Sequence, residues 1–107
     1  MARYLVYPHR DFYNDLYRQL DAQPGRLPSR DEFLERDLYA LGMHVADVWD
    51  QATEIIPGRA DYRLIEYTDI TGARYAVTVW WNRVGRVLVM RRVEITPMPQ
   101  EPDDEDW

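Results

Sequence analysis

From residue 61 to residue 95 the sequence period changes from helical to alternating, and the segment is divided at ITG and NRVG, around Gly72 and Gly85. Successive side chains of a strand point to opposite faces, so this pattern predicts three strands, at about 62–69, 74–81 and 86–95. The connections are too short for a crossover, which makes neighbouring strands antiparallel and the unit a meander. Gly72 and Gly85 are expected to supply positive φ in the two tight turns.

Upstream the period is different. ARYLVYP near the N-terminus alternates and is stopped by Pro8, as a short strand would be. Phe12, Leu16 and Leu20 then recur every four residues until Pro24 and Gly25, which is helical spacing. Ser29 stands three residues before Glu32, the capping-box spacing, ahead of Leu34, Leu38, Leu41, Val45 and Val48. A helix over about 30–51 would be ~33 Å long at 1.5 Å per residue, and Gly42 is where it is expected to divide or bend. The fold class expected is α+β: an N-terminal strand, two helices, then a three-stranded antiparallel meander packed on the helices, all in one domain over 1–96.

Charge is distributed unevenly along this plan. Residues 1–58 carry six arginines against ten acids, residues 59–96 seven against four, and residues 97–107 five acids and no base, giving -6 over 107 residues. A basic segment therefore lies between an acidic one and an acidic tail. The tail PMPQEPDDEDW has no periodicity and is expected to be disordered, with Asp103, Asp104, Glu105 and Asp106 able to imitate a row of phosphates over the arginines of the meander. All thirteen basic residues are arginine, the side chain suited to bidentate contact with carboxylate or phosphate. With no cysteine, disulfides, thiolate nucleophiles and cysteine-ligated metals are excluded. His9 and His44 have no metal-ligand spacing, and no phosphate loop or nucleophile elbow occurs, so no cofactor and no metal are expected. No apolar run suits a signal peptide or a membrane span; a cytoplasmic protein with no membrane partner is expected.

The stretch WWNRVGRVLVMRR, residues 80–92, concentrates the chemistry. Simple alternation puts Val87, Val89, Arg91, Val93 and Ile95 on one face of the last strand and Leu88, Met90, Arg92 and Glu94 on the other. One sheet face would pack on the helices. The other would bring Arg74, Arg83, Arg86 and Arg91 or Arg92 near Tyr67, Tyr75 or Trp80. Guanidinium with aromatic rings is a composition that grips RNA, and equally one that anchors a protein interface.

The opening RYLVYPHRDFYNDLYRQLD, followed after the second helix by PGRADYRLIEYTDITGARYAVTVWWNRVGRVLVMRRVEI, resembles the RelE/ParE-like toxins of bacterial toxin-antitoxin pairs in the order and texture of its elements. The resemblance implies a protein that acts on the translation machinery or another intracellular target, with an antitoxin or target protein as partner and RNA as a further candidate. It would give Arg74, Arg91 and Arg92 the task of orienting and stabilising a phosphate under attack, and Tyr67 or Tyr75 that of proton transfer. The chain departs from those toxins in being acidic and free of lysine, and in having EITPMPQEP where a terminal lysine or histidine is expected. The acidic balance points to a second class, a non-enzymatic protein-binding module such as an immunity protein, inhibitor or phage accessory protein. It would use carboxylates of the second helix and tail against a basic partner.

Overall fold

The computed structural model describes residues 4–99, in which five strands form one sheet in the order β1-β5-β4-β3-β2. The strands are β1 (Leu5–Pro8), β2 (Thr53–Glu54), β3 (Tyr62–Thr68), β4 (Arg74–Asn82) and β5 (Val87–Thr96). The expected meander is β3, β4 and β5, each antiparallel to the next. β1 lies parallel to β5, from Leu5 opposite Val87 to Pro8 opposite Met90. The two-residue β2, which alternation could not reveal, borders β3. The architecture is α+β, with a strand before the helices and the later strands packed on them.

The two turns differ in chemistry. Between β3 and β4, Gly72 has φ +90°, as expected, and Asp69 organises the loop: its Oδ1 accepts from the Thr71 amide at 2.9 Å, the Thr71 hydroxyl at 2.6 Å and the Ala73 amide at 3.0 Å. Between β4 and β5, Asn82 accepts from the amides of Val84 and Gly85 at 3.1 and 3.2 Å. The positive φ there falls on Arg86, at 55°, and not on Gly85 as expected. A side-chain turn from Asn82 sets that loop, so its glycine has no left-handed position to fill.

α1 (Arg10–Ala22) starts at His9, whose Nδ1 accepts from the Asp11 amide at 3.0 Å. The second helix begins with the capping box of Ser29 and Glu32 and runs through α2 (Arg30–Glu32), a π-helical turn (Phe33–Asp37), α3 (Leu38–Val48) and a 3-10 turn (Trp49–Gln51). Its irregularity is this wide turn, closed by the Leu38 amide on the Phe33 carbonyl, and not Gly42. At 3.6 residues per turn a step of four drifts by about 40°, and one π turn reverses that drift. Residues 33, 37, 41, 45 and 49 are consequently all buried, whereas residues 31, 35, 39, 43 and 47 are all exposed. Leu34, expected in the core, is 39% exposed, and Phe33 takes its place.

The core fills the space between helices and sheet with Phe12, Leu16, Phe33, Leu41, Val45, Ile65, Tyr75, Val77, Val79 and Leu88, among others. β5 does not contribute to it by simple alternation. Thr78 pairs with Arg92 and Val79 with Met90, so Arg91 is an inserted residue, a β-bulge. The extra residue resets the pleat: Leu88, Met90, Val93 and Ile95 all face the core, while Arg91 and Arg92 turn together toward the other, helix-free face. Val87 and Val89 share that open face, and the expected division of β5 is corrected accordingly.

Candidate functional site

β1 covers only the first half of β5's outer edge. Beyond Met90, α1 takes over: Asp15 and Gln19, one helical turn apart, present polar side chains to the bare backbone of β5. Asp15 accepts from the Val93 amide at 3.3 Å, and the Gln19 side chain donates to the Val93 carbonyl at 2.8 Å and accepts from the Ile95 amide at 2.7 Å. The same carboxylate takes both ends of the Arg92 guanidinium, Nε at 2.6 Å and Nη2 at 3.0 Å. Arg92's hydrogen bond outweighs the opposing effect of burial, and the Asp15 carboxyl is held below its ordinary value.

On the open face Trp80 stands between strands. Tyr62 of β3 stacks on it with ring centroids 6.3 Å apart, Arg91 of β5 lies 5.9 Å from its ring centre, and Arg59 lies 5.3 Å from the ring of Tyr62. Arg59 is paired with Asp61, whose carboxyl is pulled down to about 2 chiefly by that hydrogen bond. Arg74, also on this face, meets Glu66 at 3.4 Å. Arg91 has no ion pair among the described residues, and its Nε is buried without an acceptor. The expected aromatic face exists, but Glu66, Glu94 and Asp15 balance Arg74, Arg91 and Arg92, so it is not a basic one.

The structure does not assemble the set expected around a phosphate. Tyr67 and Tyr75 lie on the helix side of the sheet, opposite Arg74, Arg91 and Arg92. Tyr75 is 1% exposed and donates to Asp69 Oδ2 at 2.8 Å; burial, and then Asp69, push its phenol upward. Tyr67 packs against His44 and Tyr75, and burial raises its phenol too. Burial also pushes Asp69 upward, but its bonds from Thr71, Tyr75 and Ala73 win, and its carboxyl ends low. Arg83 and Arg86 sit in the β4–β5 turn, about 26 Å along β4 from Arg74 at ~3.3 Å per residue. Asp103, Asp104, Glu105 and Asp106 lie outside the described residues.

An apolar groove lies elsewhere, between β1 and the second helix. Its volume is about 570 Å³, and its lining, which includes Val6, Tyr13, Leu38, Tyr39, Gly42 and Met43, holds no charged side chain. Both Leu5 and Val6 line it although they point to opposite faces of the sheet, so the outer edge of β1 itself borders the groove. A Cβ built on Gly42 would meet nothing within 4 Å. Tyr39 is 75% exposed and Met43 38%, and they continue along the exposed stripe of Asp31, Glu35 and Asp47. Those three acids have no ion pair among the described residues.

No family model matches the chain, and no curated protein matches it. Among the described residues no three side chains of His, Asp or Glu gather so as to hold a metal ion, and no helix is long and apolar enough to cross a membrane.

Reading the sequence missed Asp15, Gln19, Tyr62 and the groove residues. For the first two a signal was present: polar residues at positions 15 and 19 interrupt the buried face carrying Phe12, Leu16 and Leu20, and polar groups there need polar partners.

Proposed function

We propose that this chain is a non-enzymatic protein-binding module that accepts an extended, apolar segment with basic flanks along β1 and into the neighbouring groove. The observation that carries this reading is the groove itself: an uncharged cavity beside an edge strand, next to a helix stripe of unpaired acids. An edge strand can be extended by a segment that adds to it, which supplies main-chain bonds while side chains enter the groove. The carboxylates of Asp31, Glu35 and Asp47 and the net charge of -6 favour a cationic partner and disfavour a second copy of the same chain. The fate of the proton-transfer and phosphate-binding candidates supports the same reading, since Arg92 and Arg74 have carboxylate partners and Tyr75 is buried.

Selection from a library of displayed peptides tests it, with Gly42→Leu as the counter-screen because its side chain would fill the groove. The expected winners carry apolar residues between arginines or lysines and fail to bind Gly42→Leu. Winners that bind both forms equally, or an absence of winners, would remove the reading.

The second reading is a RelE/ParE-like toxin acting on the translation machinery through the open face. The feature favouring it is Arg91, which has no ion pair among the described residues and is placed beside Trp80. Expression of the chain and of its Arg91→Ala and Arg92→Ala variants, scored for growth arrest and transcript cleavage, separates the two. Arrest and cleavage lost in the Arg91 variant would establish the toxin; neither effect from the unaltered chain would end it.

A further inference from the structure

The connection between α1 and α2, with Thr71 of the β3–β4 turn, lines an open surface cavity of about 610 Å³, within the range of roughly 300–1,000 Å³ usual for ligand sites. Arg26, Arg30 and Arg36 line it. The two acids of the lining are already engaged, Asp21 by the Arg30 guanidinium and Glu32 by the Ser29 amide. Arg36 is held by Asp37. Arg26 is different: it donates to two neutral oxygens, the Gln23 side-chain carbonyl at 3.3 Å and the Met98 carbonyl at 3.2 Å. A carboxylate would be the stronger acceptor for it.

Met98 also marks where the chain leaves the sheet. Its side chain lies against Gly72, where an added Cβ would meet its Sδ at 3.0 Å, and the adjacent Thr71 belongs to the cavity lining. The chain therefore passes this cavity on its way into QEPDDEDW, residues 100–107, which hold five acids and no base. Asp103 is five residues beyond Met98, a reach of up to about 18 Å at 3.3–3.6 Å per residue.

We propose that the acids at 103–106 bind back onto the cavity lined by Arg26, Arg30 and Arg36. The site is separate from the groove and does not depend on how the groove is used. Exposed pairs are individually weak, but tethering keeps several carboxylates at high local concentration beside Arg26, whose guanidinium has only neutral acceptors while Arg30 and Arg36 are paired with Asp21 and Asp37. The open face of the sheet is the competing destination: Arg74 and Arg92 there have carboxylates, as Arg30 and Arg36 do here, and what favours the cavity is that Arg26 already holds the Met98 carbonyl.

The test compares amide chemical shifts of the full chain with those of a charge-neutral form, Asp103→Asn, Asp104→Asn, Glu105→Gln and Asp106→Asn together. The proposal expects differences at Arg26, Leu27, Ser29 and Thr71 that vanish at high salt and are absent when both chains carry Arg26→Ala. Unchanged amides at Val77 and Val79 would report that Arg26→Ala is folded. No difference at those four residues would overturn the proposal, as would differences centred on Trp80, Arg91 and Arg92, or persistence of the effect in the Arg26→Ala pair.

Discussion

Asp15 binds the Arg92 guanidinium and the Val93 amide with one carboxylate, so removing it should leave a cation and a strand amide without their acceptor. Asp15→Ala is expected to cost about 1–3 kcal/mol in urea unfolding at neutral pH, chiefly from the Val93 amide and the charge-assisted bonds, since the exposed Arg92 guanidinium can turn to water, and Asp15→Asn less, since it keeps an acceptor oxygen. The pH dependence has a definite sign. Because the folded carboxyl titrates below its ordinary value of 3.8, the native state binds fewer protons than the unfolded one. Its stabilisation is complete above the ordinary carboxylate range and lost as pH falls through the folded value. The stability gap between wild type and Asp15→Asn should accordingly be widest at neutral pH and close in acid; a gap independent of pH would show that the charge is not what stabilises. Tyr75→Phe removes the hydroxyl from Asp69 and should cost about 1–2 kcal/mol. A catalytic tyrosine would instead lose activity without losing stability. The sequence shows that position 75 carries a phenol in a strand, but not which side of the sheet the helices cover, and that choice turned a surface candidate into a core residue.

Apart from β2, the strands and helices themselves were legible to within a residue or so. Alternation placed strands at 62–69, 74–81 and 86–95, against Tyr62–Thr68, Arg74–Asn82 and Val87–Thr96 in the fold, and the capping box fixed the start of the second helix at Arg30. Two inserted residues were not legible, for one physical reason. A bulge at Arg91 and a π turn at Phe33–Asp37 each add a residue without changing local composition, so a fixed period counted across them assigns the side chains on one side of the insertion to the wrong face. Leu34 and the second half of β5 were misplaced in that way. The groove lies beside the second helix, and Gly42 is part of its lining. Gly42→Ala should stabilise the fold by about 0.5–1 kcal/mol in thermal or urea unfolding, because the added methyl meets nothing and alanine suits a helix interior. Destabilisation by that change would mean that the helix there is not packed as described.

Across the whole molecule, acid and base are sorted by surface rather than by segment alone. The basic balance of residues 59–96 suggested a cationic sheet, yet α1 supplies Asp15 to Arg92 and β3 supplies Glu66 to Arg74. Charge counted along a chain cannot register such pairing across 77 positions. Among the described residues the exposed acidic stripe of the second helix has no ion pairs and stands beside an uncharged groove, and this is why we place binding at β1 and α3 and not on the open face. The most direct measurement is a map of amide shifts as the best displayed peptide is titrated into the labelled chain. The map should move Val6, Leu38, Tyr39 and Met43 and leave Trp80 and Arg92 in place. Saturable shifts confined to Trp80, Arg91 and Arg92 would contradict it and return the function to the sheet.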